Sequence, residues 1–575
     1  MRLARCGIAA ALGIAISAGA APDLIVHGGC VVTVDAAFSI HEAMAVEGDR
    51  IVRAGANAEV LAMRGPRTEV LDLAGRTVIP GLIDSHVHPT AACLTEIDHP
   101  IPEMQSIRDV LAYIEGRAAA RPPGEWIVLQ QVFITRLREQ RYPTRAELDT
   151  AAPHHPVLFR TGPDASLNTR ALELSGIGRD FQVSDGGSGF AEKDAGGEPT
   201  GILRNCTRYV KAPVATPPDP AKHDARLREL LADYNSAGIT SIGDRDTSLD
   251  AIEQYGRLRE TGALTVRVSC SQSIGSLGAL EKIEAQIRSV ARSPLHTGRD
   301  DFLSIIGIKM YLDGGMLTGS AYMREPWGVS SIYAITDPAY RGVLFIPRER
   351  LLPLVRTTVE SGLQFTAHAQ GDGAVHELLD VYEELAGQGL PVRETRACLT
   401  HSSFMSEAAI AQAARLGMMI DLQPAWLYLD ARTLVQHFGS ERLRWFIPLS
   451  SLFAAGVVAG GGSDHMQKTG SKRAINPYNP FLGIATAVTR RARWFEGQLH
   501  PDESLTREQA LRFYTINNAR ILRRDDRTGS LEPGKLADFV VLDTGLFSCP
   551  EEKIEGTQVL RTYLGGKLVF SRPSR

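Results

Sequence analysis

The feature that most constrains this chain is an alternation along its middle. Short apolar runs at 239–242, 266–270, 303–309, 364–368, 398–401, 418–422 and 457–460 are separated by longer stretches, of which 221–236, 277–292, 348–361, 373–387 and 406–416 have helical spacing. Short apolar strands separated by helices of a dozen residues or so form parallel βα units. An eighth apolar run, 77–83, lies upstream and leads into Pro80-Gly-Leu-Ile-Asp-Ser-His86-Val-His88. Eight such units make a distorted TIM (β/α)8 barrel. The stretch 93–222 breaks the rhythm and is rich in Pro and Gly, so it reads as an inserted lobe.

Where the apolar runs end matters for chemistry. Alternate residues of a strand share a face, so His86 and His88 present two imidazoles on one side, which is half of a metal site. Lys309, His368 and His401 close their runs, and Asp464 follows Val457-Val-Ala-Gly-Gly-Gly-Ser463. In a βα barrel these ends converge on one mouth. Singly, each residue has an ordinary reading: a histidine hydrogen-bonded in a loop, or an aspartate capping a helix. Lys309 is harder to explain away, because an ammonium closing an apolar strand is costly unless paired or modified. Its plain role is an ion pair with Asp313. Its sharper role is an amine that takes up CO2 as a carbamate and so becomes an anionic ligand shared by two metals. Six such residues at five strand ends read as one site.

Both ends of the chain carry short strands with turn punctuation. Residues 23–27 and 30–34 around Gly28-Gly29 read as a hairpin, as do 43–46 and 50–52, and 559–563 with 567–570. Residues 21–80 and 525–575 are therefore expected to form one composite β-sandwich, with the barrel spanning 81–524. The net charge is −4 with no basic block, so nothing points to nucleic acid or an anionic membrane, and the expected partner is a small-molecule substrate. None of the seven cysteines falls in a CxxC pair, so neither a zinc knuckle nor a dithiol motif is supported. Arg2 and Arg5, an apolar run at 7–16 and small residues at 17–21 read as a signal peptide over 1–20. Export to a periplasm or the exterior follows, without a stable membrane anchor, since the run is too short to span a bilayer. The sequence leaves the oligomeric state open, a homodimer being one arrangement.

Taken together, PGLIDSHVH, GIKMYLDGGM, FTAHAQGDGAV, LTHSSF, GGGSDH and the tail motifs around Asn517-Asn-Ala-Arg520 and Gly529 to Phe539 resemble the amidohydrolase superfamily, in its YtcJ-like branch (amidohydrolase family 3). The resemblance covers nearly the whole chain beyond the leader. It implies a metal-dependent hydrolase in which His86 and His88 hold one divalent metal, expected to be zinc, together with Asp464. A carboxylated Lys309 would bridge to a second metal held by His368 and His401. A metal-activated hydroxide would attack an N-acyl or N-formyl carbonyl, with Asp464 as general base and then acid. Asp372 and Asp313 would support the ligands, and Arg324 and Asn168 would face the substrate, with Arg473 and Asp164 as further charges near the mouth. The chain departs from the family pattern at Val132-Phe133, Gly162 to Asn168, Gly201 to Asn205 and Thr400 to Ser403. The engine is thus expected intact and the substrate pocket rewritten. Alternatives are a deaminase with one metal, an esterase or lactonase, and a non-catalytic binding relative.

Overall fold

A computed structural model describes residues 21–573 except 131, 214–217 and 299. The leader at 1–20 lies outside the described residues. Eight strands form one parallel sheet: β1 Leu82–Val87, β2 Ile239–Thr247, β3 Arg267–Ser273, β4 Leu303–Tyr311, β5 Gln364–Ala369, β6 Cys398–His401, β7 Met419–Leu422 and β8 Val458–Gly461. Each pairs in parallel with the next. The sheet curls until β1 and β8 meet. A bridge joins Val87 to His465, and Asn518 Nδ2 donates to the carbonyls of both Ile83 and Gly461 across the seam. The approach is close enough that a Cβ on Gly462 would lie 2.8 Å from His86 Cβ. The helices that return the chain between strands include α1 Pro220–Ser236, α2 Leu249–Glu260, α3 Leu280–Ala291, α4 Arg348–Glu360, α5 Asp372–Gly387, α6 Glu407–Leu416 and α7 Pro424–Arg442. Serines at the caps satisfy orphan N–H groups: Ser248 accepts from Ala251 in α2, and Ser406 from Ala409 in α6.

The apolar run 77–83 is two strands rather than one. Thr77–Pro80 joins a six-stranded sheet with Cys30–Val32 and the C-terminal strands Phe539–Leu542, Val559–Leu564 and Lys567–Ser571, while β1 begins the barrel. Gly81 makes the switch, since a Cβ there would sit 2.1 Å from Thr240 Oγ1. The pairing expected around Gly28-Gly29 does not form. Leu24–His27 belongs to a four-stranded sheet and Cys30–Val32 to the six-stranded one, so the two glycines carry the chain between layers. The hairpins Ala43–Glu47 with Arg50–Gly55 and Val559–Leu564 with Lys567–Ser571 are present.

Between β1 and α1 a five-stranded sheet forms from Ile127–Leu129, Val157–Thr161, Asp164–Leu167, Phe190–Lys193 and Pro199–Arg204. Six cysteines lie among the described residues and all are free thiols. Among those residues no helix is long and apolar enough to cross a membrane.

The largest local departure from expectation is β2. The apolar run stops at Ile242, yet the strand continues through Asp244 and Arg245 to Thr247. Buried charges are tolerated because they find partners. Tyr255 donates its hydroxyl to Asp244 at 2.8 Å. Arg245, fully buried, donates to the Ser85 carbonyl, Ser271 Oγ, Gln364 Oε1 and Thr366 Oγ1, and lies 3.3 Å from Asp421. A side chain that reaches β1, β3, β5 and β7 from β2 fills the barrel interior.

Candidate metal centre

The C-terminal mouth of the barrel brings three of the six expected residues into one cluster. His86 Nε2, His88 Nε2 and Asp464 Oδ1 stand 3.3, 3.0 and 3.4 Å apart pairwise, and the three ligand atoms meet within 4.8 Å. Backbone pairing at the seam places them: Asp464 donates its N–H to the His86 carbonyl, and His88 donates to the His465 carbonyl, both at 2.8 Å. Asp464 holds a left-handed backbone at φ +56°, and Asn476 Nδ2 donates to its carbonyl. Arg136 in turn donates to Asn476 Oδ1 and forks onto Asp430, which anchors that loop.

Strand β7 and the residue after it, expected to supply no ligand, carry partners for two of the histidines. Asp421 Oδ1 faces His86 Nδ1 at 3.5 Å and its other oxygen faces Arg245. Gln423 Oε1 accepts from His401 Nδ1 at 2.8 Å, so Nε2 is the ring nitrogen left for another partner. The ring of Trp426 stacks on His401 with centroids 4.9 Å apart. The His401 ring stands 4.8 Å from that of His86 and 4.5 Å from that of His368. His401 itself sits at φ +75°, and strained backbone of this kind clusters at functional sites.

The other half is looser. His368 Nε2 is 3.3 Å from the Gly314 carbonyl and 3.8 Å from Asp313. Lys309 Nζ is 1 % exposed as a residue and has no hydrogen-bond partner among the described residues. Asp313 does not pair with it; that carboxylate accepts the backbone N–H groups of Tyr322, Gln370 and Gly371. The Lys309 amine instead lies 4.9 Å above the ring of Tyr311, whose hydroxyl donates to Asp246 Oδ2. Asp246 sits near the end of β2, beyond the apolar run, where sequence periodicity is silent.

Burial dominates the electrostatics. It pushes His86 and His401 well below the usual imidazole range and His368 down to about 3, helped by the neighbouring Lys309. Burial also lowers the Lys309 amine and raises the Asp464 carboxyl. At His88 burial acts downward, but the Asp464 carboxylate outweighs it and the net shift is upward. Neutral imidazoles and a neutral amine are the forms that bind metal and react with CO2. Two imidazole nitrogens and one carboxylate oxygen at these separations fit a divalent ion bonded at about 2.0–2.2 Å. The orphaned Lys309 amine fits a carbamate, which would satisfy an otherwise unmet buried group.

The remaining expected residues sit further out. Asp372, the first residue of α5, accepts the backbone N–H of Arg324 and does not cap the helix. Arg324 is exposed, with its guanidinium 3.4 Å from His376. Asn168 caps the helix Thr169–Ser175 and ties Val157 to His155, so its amide is spent inside the lobe. Arg473 forks onto Glu96, and Asp164 is buried against Arg204.

The chain resembles known proteins over most of its length. The family model described as "Amidohydrolase family" matches residues 69–570. The chain belongs to the amidohydrolase family. It is thus a hydrolase of carbon–nitrogen bonds and metal-dependent. It is 31% identical over 570 residues to an N-substituted formamide deformylase of Arthrobacter pascens, covering 96% of this chain and 98% of that protein. It is 25% identical to the putative amidohydrolase YtcJ of Bacillus subtilis, over 95% of this chain and 99% of the relative. Its fold superposes on an uncharacterized metal-dependent hydrolase from Pyrococcus horikoshii with a TM-score of 0.64, 22% identity and coverage of 92% and 99%.

Proposed function

We propose that this amidohydrolase cleaves the C–N bond of small N-acyl amides, N-formyl amines foremost. The observation that carries the reading is the convergence of His86, His88 and Asp464 at the barrel mouth, with the buried, unpartnered Lys309 amine beside it. The similarity to a formamide deformylase over nearly the full length of both chains supports the substrate class. His86, His88 and Asp464 would hold one metal, proposed to be zinc; a carboxylated Lys309 would bridge it to a second held by His368 and His401. When bound, such ions supply Lewis-acid activation of water and of the substrate carbonyl. Asp464 takes the proton of the attacking water at its carboxylate and passes it to the leaving nitrogen. Its burial raises the carboxyl, the direction a proton carrier working near neutrality needs. Gln423 and Asp421 keep His401 and His86 turned toward the centre. The basic, apolar and small-residue order of the leader supports export.

A second reading, a deaminase with one metal, is favoured by the fact that a single three-ligand cluster is assembled among the described residues. Metal analysis separates the two, with about two ions per chain expected for the first and about one for the second. The decisive assay runs metal-analysed wild type and Asp464→Asn side by side on N-formyl amines, N-acyl amino acids, lactams, lactones and esters. Formamide hydrolysis by wild type, lowered about 1,000-fold or more in the variant, is expected from loss of the general base. Equal rates would refute the role of Asp464, and turnover confined to esters or lactones would refute the amide reading.

A further inference from the structure

We infer that the indole N–H of Trp426 binds substrate, donating to the acyl oxygen of the amide cleaved at the metal centre. The inference rests on the hydrolytic reading above and names a donor which that reading does not use. Trp426 is 4 % exposed and its Nε1 has no acceptor among the described residues. Buried indole N–H groups are normally met, so an acceptor is missing at this position. A metal cannot supply it. The Lys309 amine can be satisfied by CO2 and metals, whereas an indole nitrogen is a donor only and ligates nothing.

Its place in the fold says where the acceptor should come from. Over six residues, the chain leaving β7 devotes itself to the centre: Asp421 supports His86, Gln423 supports His401, and the Trp426 ring stacks on the His401 imidazole with an interplanar angle of 20°. The unmet N–H therefore lies within a ring's width of a proposed metal ligand. An independent observation adds to this. Ser402, next in chain to His401 and held at φ +39°, also has a buried hydroxyl without a partner. A second unmet hydrogen-bonding group thus lies one residue from His401 in the chain. A carbonyl oxygen that becomes an oxyanion during attack on the amide is the acceptor the proposed chemistry delivers there.

Trp426→Phe tests this cleanly, because it keeps the stacked ring and removes the N–H. Zinc-loaded, 15N-labelled wild type is titrated with sodium formate, which carries the acyl oxygens of the cleaved product. The indole resonance absent from Trp426→Phe is expected to shift, and the variant should bind formate about 5- to 10-fold more weakly. On an N-formyl amine its kcat/KM should fall about 100-fold, while zinc content and Tm stay as in wild type. A silent Trp426 resonance at saturating formate, with formate affinity within twofold of wild type, would overturn the inference and leave a buried water as the partner. The formate titration judges Trp426 even if no formamide is hydrolysed, so failure of the substrate reading is scored separately.

Discussion

The two halves of the proposed metal centre are built differently. His86, His88 and Asp464 come from the two strands that meet at the barrel seam, where their own backbone N–H and C=O groups pair across it. Their ligand atoms consequently stand together without help. Lys309, His368 and His401 come from three successive strands, β4, β5 and β6, whose separation is set by the sheet spacing of about 4.8 Å. The His368 and His401 rings stand 4.5 Å apart, but the three ligand atoms form no tight cluster among the described residues: His368 Nε2 faces the Gly314 carbonyl, and the Lys309 amine lies over the Tyr311 ring without a hydrogen-bond partner. Residues placed by backbone pairing have their side-chain atoms brought together by the fold itself, whereas those on separate strands depend on side-chain reach.

This contrast can be broken at either half. Of the changes that test this contrast, the largest effect is expected from Lys309→Met, which removes the proposed bridge. Bound metal should fall from about two ions per chain to about one, and formamide turnover at least about 100-fold, while the affinity of the remaining ion is little changed. Unchanged stoichiometry by elemental analysis would show that the looser half never depended on Lys309. Asp421→Asn acts on the preassembled half by slackening His86, and should weaken its metal 10- to 100-fold in chelator competition. Affinity equal to wild type would mean that backbone pairing alone orients His86.

The smallest effect concerns the loops after β1 and β8, which Glu96 and Arg473 tie together at 2.7 Å. The Arg473 guanidinium holds the Glu96 carboxyl down at about 2, against an ordinary value of 4.5. A depressed carboxyl stabilises the fold above its ordinary value, and that contribution is lost as pH falls through about 2. Because Arg473 is half exposed, Glu96→Gln should cost only about 1 kcal/mol at pH 7. Urea unfolding should show the gap closing near pH 2, and a gap that persists there would exclude the ion pair as its source.

Several residues were readable before any tertiary information, and for a common reason. Lys309 interrupts an apolar run with a charge, and a charge there must do something. Asp421 in Met419–Leu422 carries the same signal and went unread, since a lone aspartate in a strand does not say which histidine it serves. The run of charges Asp244-Arg245-Asp246 hid the second half of β2, because periodicity assigns polar stretches to loops while a barrel interior lets them neutralise one another. Gly28-Gly29 looked like a hairpin turn because local chemistry cannot tell a return within one sheet from a passage between two. Asn168 shows the same ambiguity, as its amide serves a helix cap inside the lobe.

By itself the sequence determined the strand–helix alternation, the kinds of ligand available and the strand ends that carry them, since periodicity and buried charge are local properties. Only the tertiary structure decided which ligands meet. Closure of β1 onto β8 is a contact between residues almost 380 positions apart, made possible by Gly462 and stitched by Asn518. It fixes His86, His88 and Asp464 through the backbone, whereas Lys309, His368 and His401 are placed only by the strands that carry them.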